Sequence, residues 1–581
     1  MATRAHTAPG MSMWLLAVAL ALGAVRAAAA PDYRPVTDER LAHPEAHNWL
    51  MVRGDYGSLG YSPLARIDTT NVHTLVPAWT FSTGVTEAHQ APPIVNDGVM
   101  FITTPRNQVL ALDARTGELR WRYARELPAD LFQLHPTNRG VALYGDLVLL
   151  ATLDAYLVAL DAKTGEVRWE QQVEDYLAGY YMTLAPLVAG GKVMVGVSGG
   201  EFGVRGFVQA FDAQTGEPAW KTYTVPGPGE PGHDSWPGNT WQRGGVPVWV
   251  TGSYDPDTGL AYWGTGNAGP WLGDERKGDN LYATSVIALD VATGAIRAHH
   301  QYHWHDVWDW DEVAAPLLVD LKQGDAVKKA LVHAGRDGYL WWLERRDDGI
   351  GFVAAEPYVK QDVYTAIDPA TGRPQYDLSK VPRAGVRTEF CPSIWGGKDW
   401  PPAAYSPQTG LLYIPANDNL CGAITGEPAK YRPGELYMGV PLTKLEVIPT
   451  AAAKDHIGEL QAWDLVTRKR VWKVDFKSHN WGPVLATGGG LVFAGGTNDR
   501  QFRAFDARTG KLLWQQRTNS GVVGMPASYE LDGRQFIAVQ SGWGVDAQRK
   551  QDFLDKAFGT RTHVPQGGVL WVFALPEPLE H

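Results

Sequence analysis

Cysteine is scarce in this sequence, because Cys391 and Cys421 are the only two among 581 residues. No C-x-x-C-H motif occurs, so the sequence predicts no covalently bound haem. An even number of cysteines in an exported chain commonly pairs into disulfides. We therefore expect one bridge between Cys391 and Cys421, with two unpaired thiols as the alternative.

Long apolar runs and an excess of positive charge are also missing. The apolar run from Met13 to about Val25 is shorter than the roughly 20 residues that a membrane-spanning helix needs, and no other segment is long and apolar enough. The formal net charge is −11, which disfavours nucleic acid and anionic membranes as partners. The sequence therefore predicts no nucleic-acid partner and no membrane span in the mature protein. A cationic protein partner is compatible with this charge.

The first thirty residues have the pattern of a secretory signal peptide. Arg4 and His6 come first, the apolar run follows, and the small residues Ala27 to Ala30 end the segment. We predict that residues 1–30 are a signal peptide and that the mature protein is periplasmic, with an uncleaved membrane anchor as the alternative. Removal of this segment changes the net charge from −11 to −13, because Arg4 and Arg26 leave with it.

Aromatic and turn residues are plentiful, with 24 Trp, 64 Gly and 39 Pro, and a repeat organises them. Each copy reads as an Ala-Leu-Asp strand end, an Asp/Thr-Gly turn and a short strand that ends in Trp in all copies but one. Neighbouring copies are 48, 51 and 42 residues apart where they are most regular. The copies are Ala111–Trp121, Ala159–Trp169, Ala210–Trp220, Ala288–Ala298, Ala462–Trp472 and Ala504–Trp514. Such periods predict an all-β propeller, which we assign to residues 31–581 as one domain.

Propeller repeats alone would also suit a non-catalytic scaffold, so the residues between them must decide the function. Glu201 follows a Gly-rich turn, Asn267 lies between glycines, and Asp309 and Asp311 are two residues apart in "DVWDWDE". On an extended strand, Asp309 and Asp311 would share a face. Together the four would form an all-oxygen set, which hard cations such as calcium prefer. Taken singly, they also fit a bulge turn, a turn Asn and a solvated strand edge.

Two histidines in the same stretch leave zinc as another interpretation. On a strand, His303 and His305 would share the face of the two aspartates. Zinc is disfavoured because neither a cysteine nor a recognised ligand spacing accompanies them.

Several motifs in order resemble the PQQ-dependent quinoprotein alcohol dehydrogenases, the methanol/ethanol dehydrogenase family. The most specific are "SGGEFGVRGF", "GTGNAGPW" followed by "KGDNLY", "HDVWDWD" and "YSPQTGLLYIP". The resemblance covers nearly the whole mature chain. It implies an eight-bladed propeller with tryptophan-docking repeats that binds pyrroloquinoline quinone (PQQ) and one metal ion on its axis.

The resemblance also implies roles for individual residues. Glu201, Asn267 and Asp309 resemble the metal ligands, and Asp309 also resembles the catalytic base. Arg336 resembles the cation beside the reactive quinone oxygens. The residues that resemble PQQ contacts are Gln90, Arg139, Thr183, Ser198, Gly199, Gly200, Trp249, Arg336, Asp399 and Trp481.

The chain departs from the family pattern at several of these positions. The adjacent Cys-Cys pair that many members place above the quinone is absent, and Gln133 and Leu134 stand near its place. Gln90 stands where Glu is common, and Asp399 replaces a frequent Asn. Pro247 lies where a Thr often donates to PQQ, so we do not count it as a contact. These departures affect the details of the pocket.

Asp311 bears on which metal is bound. Lanthanide-dependent members of the family have an Asp two residues after the base, whereas calcium-dependent members usually have a small uncharged residue there. A further carboxylate around Ca²⁺ raises like-charge repulsion, which a trivalent ion offsets. We expect Asp311 to be a fourth metal ligand and a lanthanide to be preferred over calcium, with a salt bridge as the alternative for Asp311. Trp308 and Trp310 would alternate with the acids and pack the strand.

These inferences together predict a periplasmic enzyme that oxidises an alcohol to an aldehyde or ketone. Asp309 would take the hydroxyl proton as general base, and hydride would move to metal-polarised PQQ. Because no haem motif is present, a separate cytochrome c or similar carrier would accept the electrons. A homodimer is left open. The rival hypotheses are a non-catalytic scaffold for protein assembly and a propeller hydrolase with paired carboxylates.

Overall fold

The computed structural model describes residues 33–324, 326–346 and 349–577, so the predicted signal peptide lies outside the described residues. Within them, two α-helices accompany a large number of short strands. The helices are α1 (Asp38–Ala42) and α2 (Val545–Phe558). The strands are β1 (Tyr61–Ser62), β2 (Val76–Ser82), β3 (Ile94–Asn96), β4 (Val99–Thr104), β5 (Gln108–Asp113), β6 (Leu119–Ala124), β7 (Ala142–Tyr144), β8 (Leu147–Ala151), β9 (Tyr156–Asp161), β10 (Val167–Gln172), β11 (Leu187–Ala189), β12 (Lys192–Gly196), β13 (Phe207–Asp212), β14 (Pro218–Tyr223), β15 (Ser253–Asp255), β16 (Leu260–Gly264), β17 (Ser285–Asp290), β18 (Ile296–Gln301), β19 (Leu317–Gln323), β20 (Ala326–Ala334), β21 (Tyr339–Arg346), β22 (Gly349–Pro357), β23 (Tyr364–Ile367), β24 (Pro374–Tyr376), β25 (Arg387–Phe390), β26 (Ala404–Ser406), β27 (Leu411–Asn417), β28 (Leu420–Thr425), β29 (Leu445–Pro449), β30 (Gly458–Asp464), β31 (Lys469–Phe476), β32 (Val484–Thr487), β33 (Leu491–Ala494), β34 (Gln501–Asp506), β35 (Leu512–Arg517), β36 (Ala527–Leu531), β37 (Arg534–Ser541) and β38 (Val569–Ala574).

The strands form a series of small antiparallel sheets. In the described part of the chain, eight sheets each contain four antiparallel strands: β3–β6, β7–β10, β11–β14, β15–β18, β19–β22, the set β26-β27-β30-β31, β32–β35, and the set β36-β37-β38-β2. Strand β1 adds to β32 in parallel. Two smaller sheets, β23-β24 and β25-β28-β29, lie in the long connection before β30. Because β2 pairs with β38, strands from the two ends of the chain complete one sheet.

The sequence repeat corresponds to the third and fourth strands of a sheet and the turn between them. In the copy from Ala159 to Trp169, the Asp161 carboxylate accepts hydrogen bonds from the turn backbone, and Gly165 has φ +75°. A Cβ on Gly165 would lie 2.5 Å from the Trp121 ring of the preceding sheet, and the Trp121 indole donates to Ala162 O at 3.0 Å. The turn therefore needs glycine for its backbone conformation and for the indole that packs against it.

The same contact recurs between later sheets. A Cβ on Gly216 would lie 2.6 Å from the Trp169 ring, and a Cβ on Gly510 would lie 2.7 Å from the Trp472 ring. Consecutive sheets are thus joined by an indole that lies against the next glycine turn, which explains why Trp and Gly recur together in the repeat.

The two cysteines are bonded to each other, so the predicted Cys391–Cys421 disulfide is confirmed. Cys391 follows β25 and Cys421 lies in β28, the strand with which β25 pairs. The bridge therefore staples the smaller three-stranded sheet. Among the described residues, the helices are too short or too polar to cross a membrane.

Candidate active site

The predicted site residues lie on loops at one end of successive sheets. Some loops lead into the first strand of a sheet, as at Arg139 before β7 and Trp249 before β15. Others join the second strand to the third, as at Glu201 after β12, Asn267 after β16 and Arg336 after β20. In an antiparallel sheet, the start of the first strand and the connection from second to third lie at the same end. The fold therefore brings residues far apart in sequence to one place.

A cavity of about 400 Å³ opens where these loops meet. Most of the predicted residues line it, together with apolar side chains and a face of α2. The lining residues are Leu134, His135, Arg139, Tyr181, Thr183, Ser198, Gly199, Glu201, Trp249, Trp271, Asp309, Asp311, Arg336, Ile394, Trp395, Asp399, Trp400, Met438, Leu442, Leu445, Asp546, Arg549, Lys550 and Phe553. A cavity with an apolar lining and converging charges is the usual form of a small-molecule site.

One wall of the cavity is built from Arg139, Thr183 and Trp249. The Arg139 guanidinium donates through Nη1 to Thr183 Oγ1 at 2.5 Å and lies over the rings of Trp249, at 4.8 Å, and Trp400, at 4.9 Å. Burial lowers the pKa of Arg139 to about 10, a value at which it stays charged at neutral pH. Its Nε has no hydrogen-bond partner among the described residues. This wall therefore offers a flat aromatic surface beside a guanidinium whose Nε–H can still donate a hydrogen bond.

The Gly-rich turn after β12 forms the adjoining wall. Gly199 has φ +110°, and a Cβ there would lie 2.3 Å from Gly179 O. A Cβ on Gly200 would lie 2.9 Å from the side-chain amide of Asn267. The turn packs so closely that side chains are excluded, and Glu201 projects next. No hydrogen bond from the described residues reaches the Glu201 carboxylate, which lines the cavity.

Asp309 and Asp311 meet at Arg336. The Arg336 guanidinium donates to Asp311 Oδ2 at 2.9 Å and to Asp309 Oδ2 at 3.4 Å, and it also lies 3.4 Å from Asp399 Oδ2. Two further bonds to Ile394 O fix its position. Asp311 Oδ1 accepts from the Asn267 backbone at 2.6 Å. Both oxygens of Asp311 are thus engaged, as in the salt-bridge alternative, whereas Asp309 Oδ1 is buried without a partner among the described residues.

The expectation that Asp309 and Asp311 share the face of a strand is wrong. Residues 302–316 form a loop, and Asp309 has φ +61°, a left-handed conformation that is uncommon for a residue with a side chain. Such strain is typical of functional positions. The two carboxylates converge through the loop and not through the two-residue repeat of a strand.

Burial and mutual repulsion dominate the electrostatics of these acids. Burial raises the pKa of Asp309 well above its usual value, Arg336 opposes this, and Asp311 and Glu201 add to it. Burial likewise raises the pKa of Asp311 to about 7. Burial alone would lower the pKa of Arg336, but Asp399, Asp309 and Asp311 hold it above its usual range. Buried, mutually repelling carboxylates are the electrostatic setting in which a cation binds well.

Asn267 lies beside this group but does not line the cavity. Hydrogen bonding assigns the orientation of its amide, because both ends find partners only with Nδ2 toward Asp311 Oδ1, at 3.1 Å, and Oδ1 toward Trp271 Nε1, at 2.8 Å. In that orientation the amide nitrogen, not the oxygen, faces the carboxylate. A role as an oxygen ligand therefore requires the amide to turn by half a rotation.

Three other predicted cofactor contacts lie outside the lining. Gly200 packs behind Asn267. Trp481 is buried among Trp400 and Trp543. Gln90 is buried, and its Oε1 has no partner among the described residues. Asp399 does line the cavity and accepts from the Trp400 backbone at 2.6 Å.

The two histidines do not join the cavity. His303 lies behind it, with Nε2 3.2 Å from Asp306 Oδ1 and Nδ1 3.7 Å from Glu312 Oε1. His305 faces Gly278 O. Neither histidine contacts Asp309 or Asp311, which gives zinc no support at this site.

The tryptophans of the same loop are structural. Trp308 and Trp310 are fully buried and stack at 5.0 Å. Their indoles donate to Lys380 O and Ser393 O. They anchor the loop that carries the two aspartates, so the expectation that they pack away from the acids agrees with these contacts.

The face of α2 was not predicted from the sequence. Asp546, Arg549, Lys550 and Phe553 line the cavity and follow the i, i+3, i+4, i+7 spacing of one helix face. Asp546 pairs with His135 at 2.6 Å, which ties the helix to the loop where the family's Cys-Cys pair would stand. The spacing was readable in "VDAQRKQDFLDKAF", but its charged residues made it resemble a solvated helix.

The arrangement fits a flat, anionic cofactor and a cation. Trp249 offers a platform, and Arg139 offers a free donor beside it. Three carboxylates, from Glu201, Asp309 and Asp311, line the same cavity, and one Asp309 oxygen lacks a partner among the described residues. Apolar side chains complete the lining, which would exclude water from a bound molecule.

Comparison with known proteins gives concordant matches over most of the chain. A family model described as "PQQ: Glucose/ethanol/alcohol dehydrogenase, beta-propeller domain" matches residues 49–362 and 367–537. The quinoprotein alcohol dehydrogenase PedH of Pseudomonas putida is 38% identical over 97% of this chain and 98% of its own length. The lanthanide-dependent methanol dehydrogenase of Methylacidiphilum fumariolicum is 36% identical over 86% of this chain and 85% of its own. The solved structure of a europium-containing methanol dehydrogenase superimposes with a TM-score of 0.86 at 36% identity, covering 93% of this chain and all of that one.

Proposed function

The chain belongs to the PQQ-dependent alcohol dehydrogenase family, and on that premise we propose that it is a periplasmic enzyme that oxidises an alcohol to an aldehyde or ketone. The observation that carries the proposal is one cavity whose lining brings together the Trp249 platform, the Arg139 guanidinium and the carboxylates of Glu201, Asp309 and Asp311. Export is supported by the signal-like first thirty residues. Electrons would leave through a separate cytochrome c, since the sequence has no C-x-x-C-H motif.

We further propose that the eight four-stranded sheets are eight blades of one propeller domain over residues 31–581. The indole-to-glycine contacts between consecutive sheets support the idea of tryptophan-docking repeats. The pairing of β2 with β38 would then close the ring.

Within this site, Trp249 would lie under the PQQ ring, and Arg139, Thr183 and Ser198 would bind its polar edge. Thr183 Oγ1 lies 3.3 Å from Ser198 Oγ and accepts from Arg139, so the three groups form one polar edge. Glu201, Asp309 and Asp311 would hold the metal ion, with Asn267 contributing once its amide has turned. Gln90, with its unpaired Oε1, would be a more distant contact.

When bound, PQQ supplies a two-electron acceptor and the metal ion supplies a Lewis acid. Asp309 is the best-placed base, because its Oδ1 has no partner among the described residues and can accept a proton from an alcohol hydroxyl. A cation beside Asp309 would favour its ionised form over the protonated form that burial favours. Arg336, fixed by Ile394 O, would hold the other Asp309 oxygen and orient the carboxylate.

We propose that a lanthanide is preferred over calcium. Three carboxylates supply three negative charges, and a trivalent ion neutralises them, whereas a divalent ion leaves repulsion between them. The europium and lanthanide names of two similar proteins support this proposal. Asp311 must exchange its bond to Arg336 for the ion, which favours the ion of higher charge.

Reconstitution tests the proposed function. Metal-free apoprotein should not reduce a dye with alcohol, and PQQ plus a metal should restore alcohol-dependent reduction. Asp309→Ala should lose most turnover, since it removes the base and a ligand, while Asp257→Ala on an exposed turn serves as the matched control. Alcohol-dependent dye reduction by apoprotein without PQQ would contradict the proposal, hydrolysis of a glycoside without PQQ would indicate the hydrolase, and absence of PQQ uptake would favour the scaffold.

The metal preference needs a separate titration. Wild type and Asp311→Ala are titrated with La³⁺ and with Ca²⁺, and activity is measured against metal concentration. We expect La³⁺ to activate wild type at lower concentration than Ca²⁺, and Asp311→Ala to reduce that preference. Equal activation of wild type by calcium would contradict the proposal, as would an unchanged preference in the variant.

A further inference from the structure

Lys550 is a buried cation of the cavity that no part of the proposed mechanism uses. It lies on the cavity face of α2 and is 8% exposed. Its Nζ lies 3.9 Å from the Trp481 ring and 5.5 Å from the Trp395 ring. The aromatic contacts hold the ammonium group at the cavity wall.

The ammonium group is short of hydrogen-bond acceptors. No acceptor among the described residues lies within hydrogen-bond distance of Nζ, and the one carboxylate within 4 Å is Asp399, at 3.8 Å. An ammonium group carries three donors, and a buried charge without hydrogen bonds is costly. Asp399 also lies 3.4 Å from Arg336, so its negative charge is shared between the two cations.

Arg336 lines the same cavity and is a buried cation whose hydrogen-bond donors have partners. It has two bonds to Ile394 O and contacts with Asp309, Asp311 and Asp399. Lys550 is about as deeply buried, but its one ion-pair contact among the described residues is that with Asp399 at 3.8 Å, and it has no hydrogen bond there. The difference indicates that the partner of Lys550 is not in the protein but in the molecule that occupies the cavity.

We propose that Lys550 Nζ binds a carboxylate of the molecule held in the cavity. This inference rests on the proposed function, because PQQ is a tricarboxylate and is the first candidate to supply the group. A hydroxy-acid substrate is the second candidate, because it also carries a carboxylate. The Asp399 carboxylate would keep Lys550 charged and aimed at the cavity, and Trp481 would fix the end of its chain by a cation–π contact.

The test compares four forms of the metal-free apoprotein: wild type, Lys550→Met, Lys550→Arg and Lys556→Met. Lys556 lies on the same helix and is exposed, so its variant controls for loss of one positive charge. PQQ binding is measured by quenching of tryptophan fluorescence, and thermal unfolding of each apoprotein reports whether α2 is intact. A hydrogen bond to a charged group corresponds to about tenfold to hundredfold in affinity.

If PQQ supplies the carboxylate, Lys550→Met should raise the Kd for PQQ by about tenfold or more, Lys550→Arg should retain most of the affinity, and Lys556→Met should bind as wild type does. In a second arm, enzymes loaded with PQQ and La³⁺ are assayed with a neutral alcohol and with a hydroxy acid of equal length. If the substrate supplies the carboxylate, only the KM for the hydroxy acid should rise in Lys550→Met.

Lys550→Met that matches wild type in both arms would overturn the inference while leaving the proposed function standing. A wild type that does not bind PQQ would overturn both. The two failures are therefore distinguishable.

Discussion

Removal of the Arg336 charge should destabilise the metal-free protein and make it depend on added cations. Arg336→Met keeps an unbranched chain in place of the arginine stem but leaves Asp309, Asp311 and Asp399 buried without their shared cation. Breaking a buried ion pair by removing one partner costs about 3–5 kcal/mol. For a chain of this length, about 1 kcal/mol shifts the unfolding temperature by roughly 1 °C, so we expect a fall of about 3–5 °C.

The loss of stability in Arg336→Met should depend on pH, because the carboxyls left without Arg336 can take up protons. Burial raises the pKa of Asp311 to about 7, and loss of Arg336 would raise the pKa of Asp309 and Asp311 further. A carboxyl whose pKa is raised by folding contributes stability at low pH that is lost as the pH rises through its folded pKa. The deficit of Arg336→Met relative to wild type should therefore be small at pH 5 and largest at pH 8.

Thermal unfolding of apoprotein, with and without La³⁺, measures both effects. Arg345→Met is the matched control, because Arg345 pairs with the buried Asp255 and does not line the cavity. Both variants should lose stability, but La³⁺ should restore more of it in Arg336→Met than in wild type and should shift Arg345→Met as it shifts wild type. An Arg336→Met apoprotein as stable as wild type at pH 8 would refute the reasoning. Equal stabilisation of Arg336→Met and wild type by La³⁺ would refute it as well.

Three further predictions follow from single contacts. Gly200→Ala places a Cβ 2.9 Å from the side-chain amide of Asn267 and 3.0 Å from Pro247, and should cost about 1–3 kcal/mol and weaken metal binding in a titration. Cys391→Ser with Cys421→Ser opens a loop of 30 residues and should cost about 3–4 kcal/mol in the chain-entropy account; an unfolding temperature equal to that of the oxidised wild type would contradict this. Burial lowers the pKa of His300 to about 3, so stability is lost as the pH falls from about 6.5 toward 3. His300→Phe should remove that loss and move the acid-unfolding midpoint to lower pH, and an unmoved midpoint would count against it.

The repeats were predictable from the sequence because their stabilising contacts are local in pattern. The Asp161 carboxylate bonds to the turn that follows it, and the Gly165 turn packs on an indole from the copy before. Both contacts recur with the repeat, so the repeated Asp, Gly and Trp residues of the sequence predict them. The Cys391–Cys421 disulfide was predictable for a different reason, since a chain with two cysteines offers one pairing within itself.

The path of the chain through the site was not predictable from periodicity. Asp306 Oδ1 accepts from the backbones of Trp308 and Trp310, and those indoles donate to carbonyls 72 and 83 residues further on. Hydrogen-bond partners so far away in sequence do not affect the spacing of Asp309 and Asp311. The sequence therefore suggested a strand where long-range hydrogen bonds hold a loop with a left-handed Asp309.

In the proposed metal site, competition with Arg336 would determine how the site discriminates between cations. Asp311 has a cation at 2.9 Å and a backbone donor at 2.6 Å, so an ion that binds Asp311 must compete with these interactions. A divalent ion that recruits Asp311 gains one carboxylate at the expense of an ion pair of comparable strength. A trivalent ion attracts the same carboxylate with half again the charge and also offsets the repulsion among Glu201, Asp309 and Asp311. Selectivity would then come from the bond that Asp311 must give up, and weakening that bond should lower the threshold for calcium as well as for lanthanides.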